Sequence, residues 1–524
     1  MMARVVAVLG LAIAVCALSA YPFDDAYIHL RLARNLAFHG EPFFNHGERV
    51  MSGSSPLWLL WLASIFRVTG QASLVAAITT EILVMAALLY TAEGLLAQRR
   101  RRTWLTLGAA TTIALLALPS AGGLMETPLA AALFFAGLWA FRAGRFWWAG
   151  LVFGLAGATR FEMLLAAPGA IALSPGWRAR MRLILGAGPA WFALALFLYS
   201  RFGTVLPHAM VAKARLYSLH RADLWDMGPK ELGGHVGIGC VVALSLSTAA
   251  GLVPILRDRV RKQSPGGRDL LLLGLFPLAL VGVYVARAPL VFPWYWPLSL
   301  LPMALFAWIQ AVERRLLTRT WTRAIVLLAS VVSVTAVLAL SWAAVESVRH
   351  TIGGELQRSP WVMENARTRT YLKIGAVLAE RCPGAVVGAP EIGALGWTFP
   401  GKILDGGGLA SPEVLPYHPL RVPDERATGG IGAIPGRAIA ALRPDVVVSM
   451  ELFAQDFVRK SSILPALADY RVWWKEPVFA PELRLRPPRI LWGSQWTIVF
   501  ARSGQCANRI DPGETAASAR PRDP

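Results

Sequence analysis

Tyr21-Pro22-Phe23-Asp24-Asp25-Ala26-Tyr27-Ile28-His29-Leu30-Arg31-Leu32-Ala33-Arg34-Asn35-Leu36-Ala37-Phe38-His39-Gly40 follows directly on the apolar stretch Val5 to Ala20, and the fold of the chain is decided at this junction. Ile28, Leu32 and Leu36 fall on one helical stripe, Arg31, Arg34 and Asn35 on another, and Gly40 is a natural stop. That pattern predicts a helix lying along a membrane surface. Its first turn carries two adjacent carboxylates, held where a first membrane helix emerges from lipid.

Working outward, apolar segments that cross, or nearly cross, roughly 30 Å of hydrocarbon recur from Val5 to about Ala344 and then stop. Of the 524 residues, 55% are hydrophobic and 16% charged, which excludes an ordinary water-soluble globule of this size. The formal charge of +20 comes from 52 basic against 32 acidic residues, and the basic residues sit in short blocks between apolar stretches. Cytoplasmic loops of membrane proteins carry such blocks, so the partner is a lipid bilayer and not nucleic acid. Four cysteines in no C-x-x-C spacing exclude the usual zinc-finger and dithiol motifs.

Positive charge sets the expected topology. Arg99 to Arg102, Arg142 with Arg145, Arg178 to Arg182, Arg257 to Arg268 and Arg314 to Arg323 belong on the cytoplasmic side. If Pro56 to Val68 crossed the membrane, the four-Arg run after the next helix would land outside. That stretch is therefore expected to lie at, or dip into, the outer face. About eleven spans follow, at 5–20, 72–97, 103–119, 127–141, 146–159, 162–174, 183–202, 236–256, 269–286, 293–312 and 324–343. The first is read as an uncleaved helix, although Ala17-Leu18-Ser19 also suits processing. The outward loops are 21–71, 120–126, 203–235 and 287–292.

The expected fold class is thus an α-helical polytopic membrane protein, with residues 1–344 as the membrane domain. Residues 345–506 read as an extracytoplasmic α/β domain: a helical stretch near Thr370 to Glu380, an apolar run Ala385 to Ala389, and strand-like Asp445 to Ser449 and Trp496 to Ala501. Cys382 and Cys506 share this domain and are free to pair in an oxidising compartment, a pairing the sequence leaves open; Cys16 and Cys240 read as buried small residues in spans. Residues 507–524 have the composition of a disordered tail.

Asp24 and Asp25 have two readings. In the first, one of them caps the helix through its backbone N–H groups. In the second, one carboxylate accepts the proton of an acceptor hydroxyl while its neighbour orients it or holds a divalent cation, Mg or Mn. The two readings are compatible, because capping occupies only one of the pair. Crowding two carboxylates in a partly desolvated site raises the proton affinity of one.

Asp24-Asp25-Ala26-Tyr27-Ile28, with Arg31, Ala33 and Asn35, then Phe44-Asn45, Gly47-Glu48-Arg49-Val50 and Pro56-Leu57-Trp58, resembles the first-loop signature of bacterial GT-C fold glycosyltransferases. It is similar above all to the terminal arabinofuranosyltransferases of mycobacterial walls. Met125-Glu126-Thr127-Pro128-Leu129, Thr159-Arg160-Phe161-Glu162, Leu206-Pro207-His208 before Lys213, Gly393-Ala394-Leu395-Gly396, Asp405 with Gly408-Leu409, and Arg443-Pro444-Asp445 extend the resemblance over most of the chain. The chain departs from the family before Met125, after Arg160 and at His208. Those departures leave the acid pair intact and bear on the sugar and the acceptor.

The resemblance implies transfer of a sugar, arabinofuranose being one candidate, from a polyprenyl-phosphate donor to a cell-envelope glycan or lipid on the outer face of the bacterial cytoplasmic membrane. Asp24 is then the expected base and Asp25 its partner or metal ligand, with exchange of the two roles allowed. Arg31, Arg160, His208 and Lys213 are the candidates for the donor phosphate, and Glu126, Glu162 and Tyr295 are further candidates. Each has a bland counterpart. Arg160 can pair with Glu162 or Glu126, Lys213 can meet lipid head groups, and His208 can be a loop histidine. Trp58, Trp61, Trp294, Tyr295 and Trp296 suit a membrane-interface belt as well as a donor groove. Gly406-Gly407-Gly408 lacks the Lys-Ser/Thr of a nucleotide loop and reads as a tight turn. Within the same fold class the alternatives are a protein mannosyltransferase or a lipid A aminosugar transferase; outside it, the alternative is a multi-span lipid or solute transporter. Against the transporter, matching pairs of broken helices are not evident in the two halves of the sequence.

Overall fold

The structure is a computed structural model that describes residues 10, 12, 22–97, 103–216, 235–262, 267–287, 292–313, 360–420, 433–478, 496–502 and 506. The expected span 5–20 apart from residues 10 and 12, the span 324–343, the Arg99 to Arg102 and Arg314 to Arg323 blocks, Cys16 and the tail 507–524 lie outside the described residues. Chain contacts divide the molecule into two compact units. One comprises 1–22, 54–205 and 222–360, the other 23–53, 206–221 and 361–524. The division therefore cuts across the chain-order boundary expected near residue 344: the first loop and part of the third cluster with the C-terminal part.

The first unit is helical. Its described helices are Pro56–Thr69, Leu74–Ala97, Thr103–Gly122, Thr127–Arg142, Phe146–Thr159, Ala166–Leu173, Trp177–Phe202, His235–Lys262, Arg268–Arg287 and Pro297–Glu313. Most coincide with expected apolar segments to within a few residues. Pro56 opens the first of them at a position where its missing N–H costs nothing, and Gly70 at φ 73° ends it. Segment 162–174 begins as a 3₁₀ turn, Phe161–Leu165, and 293–312 likewise begins with one, Pro293–Tyr295. Among the described residues, four helices are long and apolar enough to cross a membrane, within Leu74–Leu96, Trp177–Phe202, Gly239–Arg257 and Arg268–Ala286. The other apolar helices are shorter.

Helices Phe146–Thr159 and Trp177–Phe202 pack backbone to backbone. A Cβ at Gly150 would strike the Leu183 carbonyl, and one at Gly186 the Trp147 carbonyl. Small residues at such crossings allow van der Waals packing where lipid supplies no hydrophobic drive.

Among the described residues, the second unit is built on a five-stranded sheet in the order β2-β1-β3-β5-β4, with β1 Val387–Ala389, β2 Ile403–Asp405, β3 Val446–Met450, β4 Tyr470–Pro477 and β5 Trp496–Arg502. β1 pairs in parallel with β2, setting Ala389 beside Asp405, and with β3; β5 runs antiparallel to both β3 and β4. The apolar runs in β1 and β3 are buried throughout, as expected of strands covered on both faces. Leu404, Ile434, Ile439, Val447, Phe457 and Phe500 form a core against the sheet. A disulfide joins Cys382 to Cys506, and Cys240 in the first unit is free and buried.

Candidate functional site

Helix Asp24–His39 belongs to the second unit, and its first turn supplies the acid pair. Neither Asp caps its own helix: Phe23 is the N-cap, without a side-chain hydrogen bond. Asp24 instead reaches the next N-terminus along. Its Oδ2 accepts the Gly393 N–H at 3.0 Å and its Oδ1 the Ala394 N–H at 2.8 Å, at the start of helix Gly393–Thr398. Burial pushes the Asp24 carboxyl above the usual aspartate range, opposed by the two N–H donors and by Arg367. Asp25 remains about a quarter exposed, its Oδ2 3.2 Å from Nζ of Lys213 on helix His208–Leu216.

Helix Gly393–Thr398 follows β1, and Asp405 ends β2, so both stand at the carboxyl edge of the parallel strands. In doubly wound sheets that edge is where ligands gather. Here it receives the first loop of the same chain. Asp405 is buried, accepts N–H groups from Gly407 and Ala410, and is pushed up to about 6 by burial. Asp24 acts on it in the same direction. Gly408, at φ 77°, completes the tight turn expected at the Gly run. Nε2 of His208 donates to the Gly408 carbonyl at 3.0 Å and that of His418 to Gly406 at 2.7 Å, so the turn is held from two sides.

Arg31 is 1% exposed and donates to four main-chain carbonyls: Phe44, Gly396, Phe399 and Gly401. Four of its five N–H donors are thereby spent, and its guanidinium lies 4.4 Å from the Phe44 ring centroid. Asn45 exchanges hydrogen bonds with the backbone of Ile403, and Arg34 donates to Trp397. These contacts fasten residues 24–48 to the sheet.

The remaining sequence candidates lie in the first unit. Arg160, 2% exposed, closes helix Phe146–Thr159. Its Nη1 lies 2.6 Å from Glu126 Oε1 and its Nη2 2.7 Å from Glu162 Oε1, and its guanidinium stands 4.0 Å from the Tyr295 ring centroid. Arg160, Glu126, Glu162 and Tyr295 are thus one cluster, while Asp24, Asp25, Lys213, His208 and Arg31 belong to the other unit. The Arg160 geometry is that of the ion pair the sequence allowed. Trp58 and Trp296 are buried, not arrayed as an interface belt, whereas Trp61 is exposed.

Sequence reasoning passed over Glu81 and Arg367. Glu81 was detectable as an acidic residue inside the apolar segment 72–97. Arg367, which pairs with Glu391 at 2.8 Å, has no distinguishing local pattern.

A family model described as a domain of unknown function (DUF8728) matches residues 359–504. No curated protein matches the chain. Among solved structures, the oligosaccharyltransferase of Archaeoglobus fulgidus, in complex with Zn and sulfate, aligns with a TM-score of 0.54 at 11% identity, over 90% of this chain and 72% of that one. ArnT from Cupriavidus metallidurans bound to undecaprenyl phosphate aligns with a TM-score of 0.49 at 12% identity, over 95% of this chain and 97% of that one. Its apo form aligns with the same score at 13% identity, over 98% and 99%. The likeness to the oligosaccharyltransferase shows a GT-C fold.

Proposed function

We propose that this chain is a membrane glycosyltransferase that moves a sugar from a polyprenyl-phosphate donor to a glycan or lipid acceptor of the cell envelope, on the outer face of the cytoplasmic membrane. One observation carries the reading: of two adjacent carboxylates, Asp24 is clamped by two backbone N–H groups while Asp25 stays partly exposed beside an ammonium. An anchored acid, a reachable acid and a cation are what sugar transfer from a phosphate needs. Phosphate leaves readily, so the main demands are a base for the incoming hydroxyl and positive charge near the departing oxygen.

In the proposed step the acceptor oxygen attacks the anomeric carbon and the bond from that carbon to the phosphate oxygen breaks. The hydroxyl proton passes to Asp25, and polyprenyl phosphate leaves with Lys213 balancing its charge. Asp24 fixes the peptide that carries the base. This is the exchanged assignment of the pair, chosen because both Asp24 oxygens already accept N–H groups. His208 holds the turn at Gly408, and Arg31 holds the loop, four of its donors being spent on carbonyls.

A divalent cation on Asp25 does not fit these residues. Lys213 already meets that carboxylate, and among the described residues no group of three His, Cys, Asp or Glu side chains is arranged to hold a metal. No step is routed through one.

The fold shared with an oligosaccharyltransferase supports glycosyl transfer by analogy. The Cys382–Cys506 disulfide supports an oxidising, outer location for the second unit. The first-loop resemblance makes arabinofuranose the leading sugar, and about eleven spans remains the proposed topology. The test is to incubate purified protein in lipid with polyprenyl-phosphoryl arabinofuranose, or the mannosyl analogue, and envelope glycan, and to read glycan extension by mass spectrometry. Extension supports the reading; counterflow of a labelled solute without covalent change replaces it with transport.

A further inference from the structure

Within the first unit, helices Phe146–Thr159 and Trp177–Phe202 run side by side in the same direction: Gly150 lies against Leu183, Gly154 against Ala187 and Gly186 against Trp147. The longer helix therefore projects past the start of the shorter by roughly 10 Å, at 1.5 Å per residue. Its projecting turns carry Arg178, Arg180 and Arg182, and Arg145 stands directly before the shorter helix; all four are exposed. Neither helix has an acidic residue in its first turn. Among the described residues, none of the four guanidinium groups has an ion-pair or hydrogen-bond partner. Arg178 and Arg182 are one turn apart on the same face, a like-charged arrangement that repels itself until an anion joins it. Arg142, one turn of chain away, differs: it lies 3.8 Å from Asp269 at the start of helix Arg268–Arg287.

Three tryptophans stand among these charges. Trp147, Trp148 and Trp177 are 40%, 56% and 69% exposed, and the first two meet edge to face at 4.8 Å. Indoles settle at a bilayer boundary, with the ring toward the acyl chains and the N–H toward the headgroups. Further along the longer helix, Ile184, Leu185, Phe192 and Leu196 are exposed as well. Unpaired guanidinium groups, an indole collar and an apolar flank thus follow one another along a single surface.

That order narrows the occupant. Guanidinium forks bind phosphate oxygens in pairs, but free phosphate would leave the indoles and the apolar flank in water. A phosphate carried on acyl chains matches all three zones. The positive-inside rule assigns this end of the helices to the cytoplasmic face, where the leaflet supplies anionic lipid.

We propose that this collar seats the headgroup of an anionic phospholipid in the cytoplasmic leaflet. The arginines hold the phosphate, the tryptophans fix its depth, and the acyl chains lie along Ile184 and Leu185. The proposal is independent of the transferase reading and of the acid pair.

Native mass spectrometry of the full chain, released from detergent and titrated with phosphatidylglycerol or with phosphatidylcholine of the same acyl chains, tests it. One basic residue near an anionic headgroup is worth about fivefold, so two engaged together give wild type a preference for phosphatidylglycerol of at least about tenfold. The triple variant Arg178→Gln, Arg180→Gln, Arg182→Gln brings the two lipids to within about twofold and leaves phosphatidylcholine binding unchanged. The control variant Arg437→Gln, Arg459→Gln, Lys475→Gln removes the same charge from exposed positions of the second unit and keeps the wild-type preference. The proposal is overturned if wild type does not discriminate, if the collar variant still does, or if it loses both lipids alike. An equal loss in the control variant also overturns it, because net charge alone then draws the lipid.

Discussion

Asp24 and Gly393 meet so closely that residue 393 has no room for a side chain. The Asp24 carboxylate accepts the Gly393 N–H at 3.0 Å, and a Cβ at 393 would run into the Asp24 backbone carbonyl. The first turn of the loop and the helix after β1 are therefore built as one joint, and the pose of Asp25 depends on it.

Gly393→Ala tests the joint. Overpacking of this kind costs about 1–3 kcal/mol, and the displaced first turn would carry Asp25 away from Lys213. Differential scanning fluorimetry should show a lowered Tm together with lost transfer. Gly384→Ala is the control, because nothing lies within 4 Å of a Cβ there; equal behaviour of the two variants contradicts the joint.

Arg31→Lys separates fastening from phosphate binding. Lys keeps the charge but cannot serve four carbonyls with a planar fork. The expected result is a stability loss of about 3 kcal/mol with donor KM unchanged in the folded protein. Unchanged stability with a raised donor KM would return Arg31 to the phosphate role suggested by the sequence.

Asp405 gives a pH signature. Its pKa is raised by burial from 3.8 to about 6, so between those values the folded state binds more protons than the unfolded state. Stability from this group is complete below pH about 4 and falls as pH rises through about 6, by about 3 kcal/mol in all. Melts of wild type and Asp405→Asn from pH 4 to 7 should diverge in that window, with wild type losing ground. Parallel curves would show that Asp405 ionises at its ordinary value.

Replacing both Cys382 and Cys506 by Ser removes a link across 124 residues. Loop-closure entropy puts the cost at about 4 kcal/mol. Urea melts read it, and an unchanged midpoint in the double variant would show that the link adds no stability.

Much of this architecture was legible before any coordinates. The apolar periodicity of 74–97 or 127–142 exceeds what a loop tolerates, and the Asp-Asp start with Gly40 at the far end bounded the first-loop helix almost to the residue, although that helix is mostly buried and its Arg31 and Asn35 stripe packs inward. The apolar runs near 387 and 446 announced buried strands, and the Gly406 to Gly408 turn was visible in composition. β2 was missed because three residues, Ile403–Asp405, are too few for alternation to register, and β4 because its exposed edge, Arg471 to Glu476, mixes charge with Trp. Helix His208–Leu216 was concealed in a segment read as loop. In the site, the acid pair and Lys213 could be named from sequence, but their pairing is long-range, 188 residues apart, and local pattern carries no information on it. For the same reason Arg31 read as a phosphate ligand. A lone Arg on a helix stripe looks alike whether it faces a phosphate or four carbonyls.

The acid pair is tested most directly by turnover of Asp25→Asn and Asp24→Asn, purified in lipid and supplied with a polyprenyl-phosphoryl sugar that the wild type uses. The expected result is a fall in kcat of at least about a hundredfold for Asp25→Asn, the usual worth of a general base. Asp24→Asn should also lose activity, through its loosened hold on Gly393 and Ala394. Wild-type turnover in both variants would contradict the account.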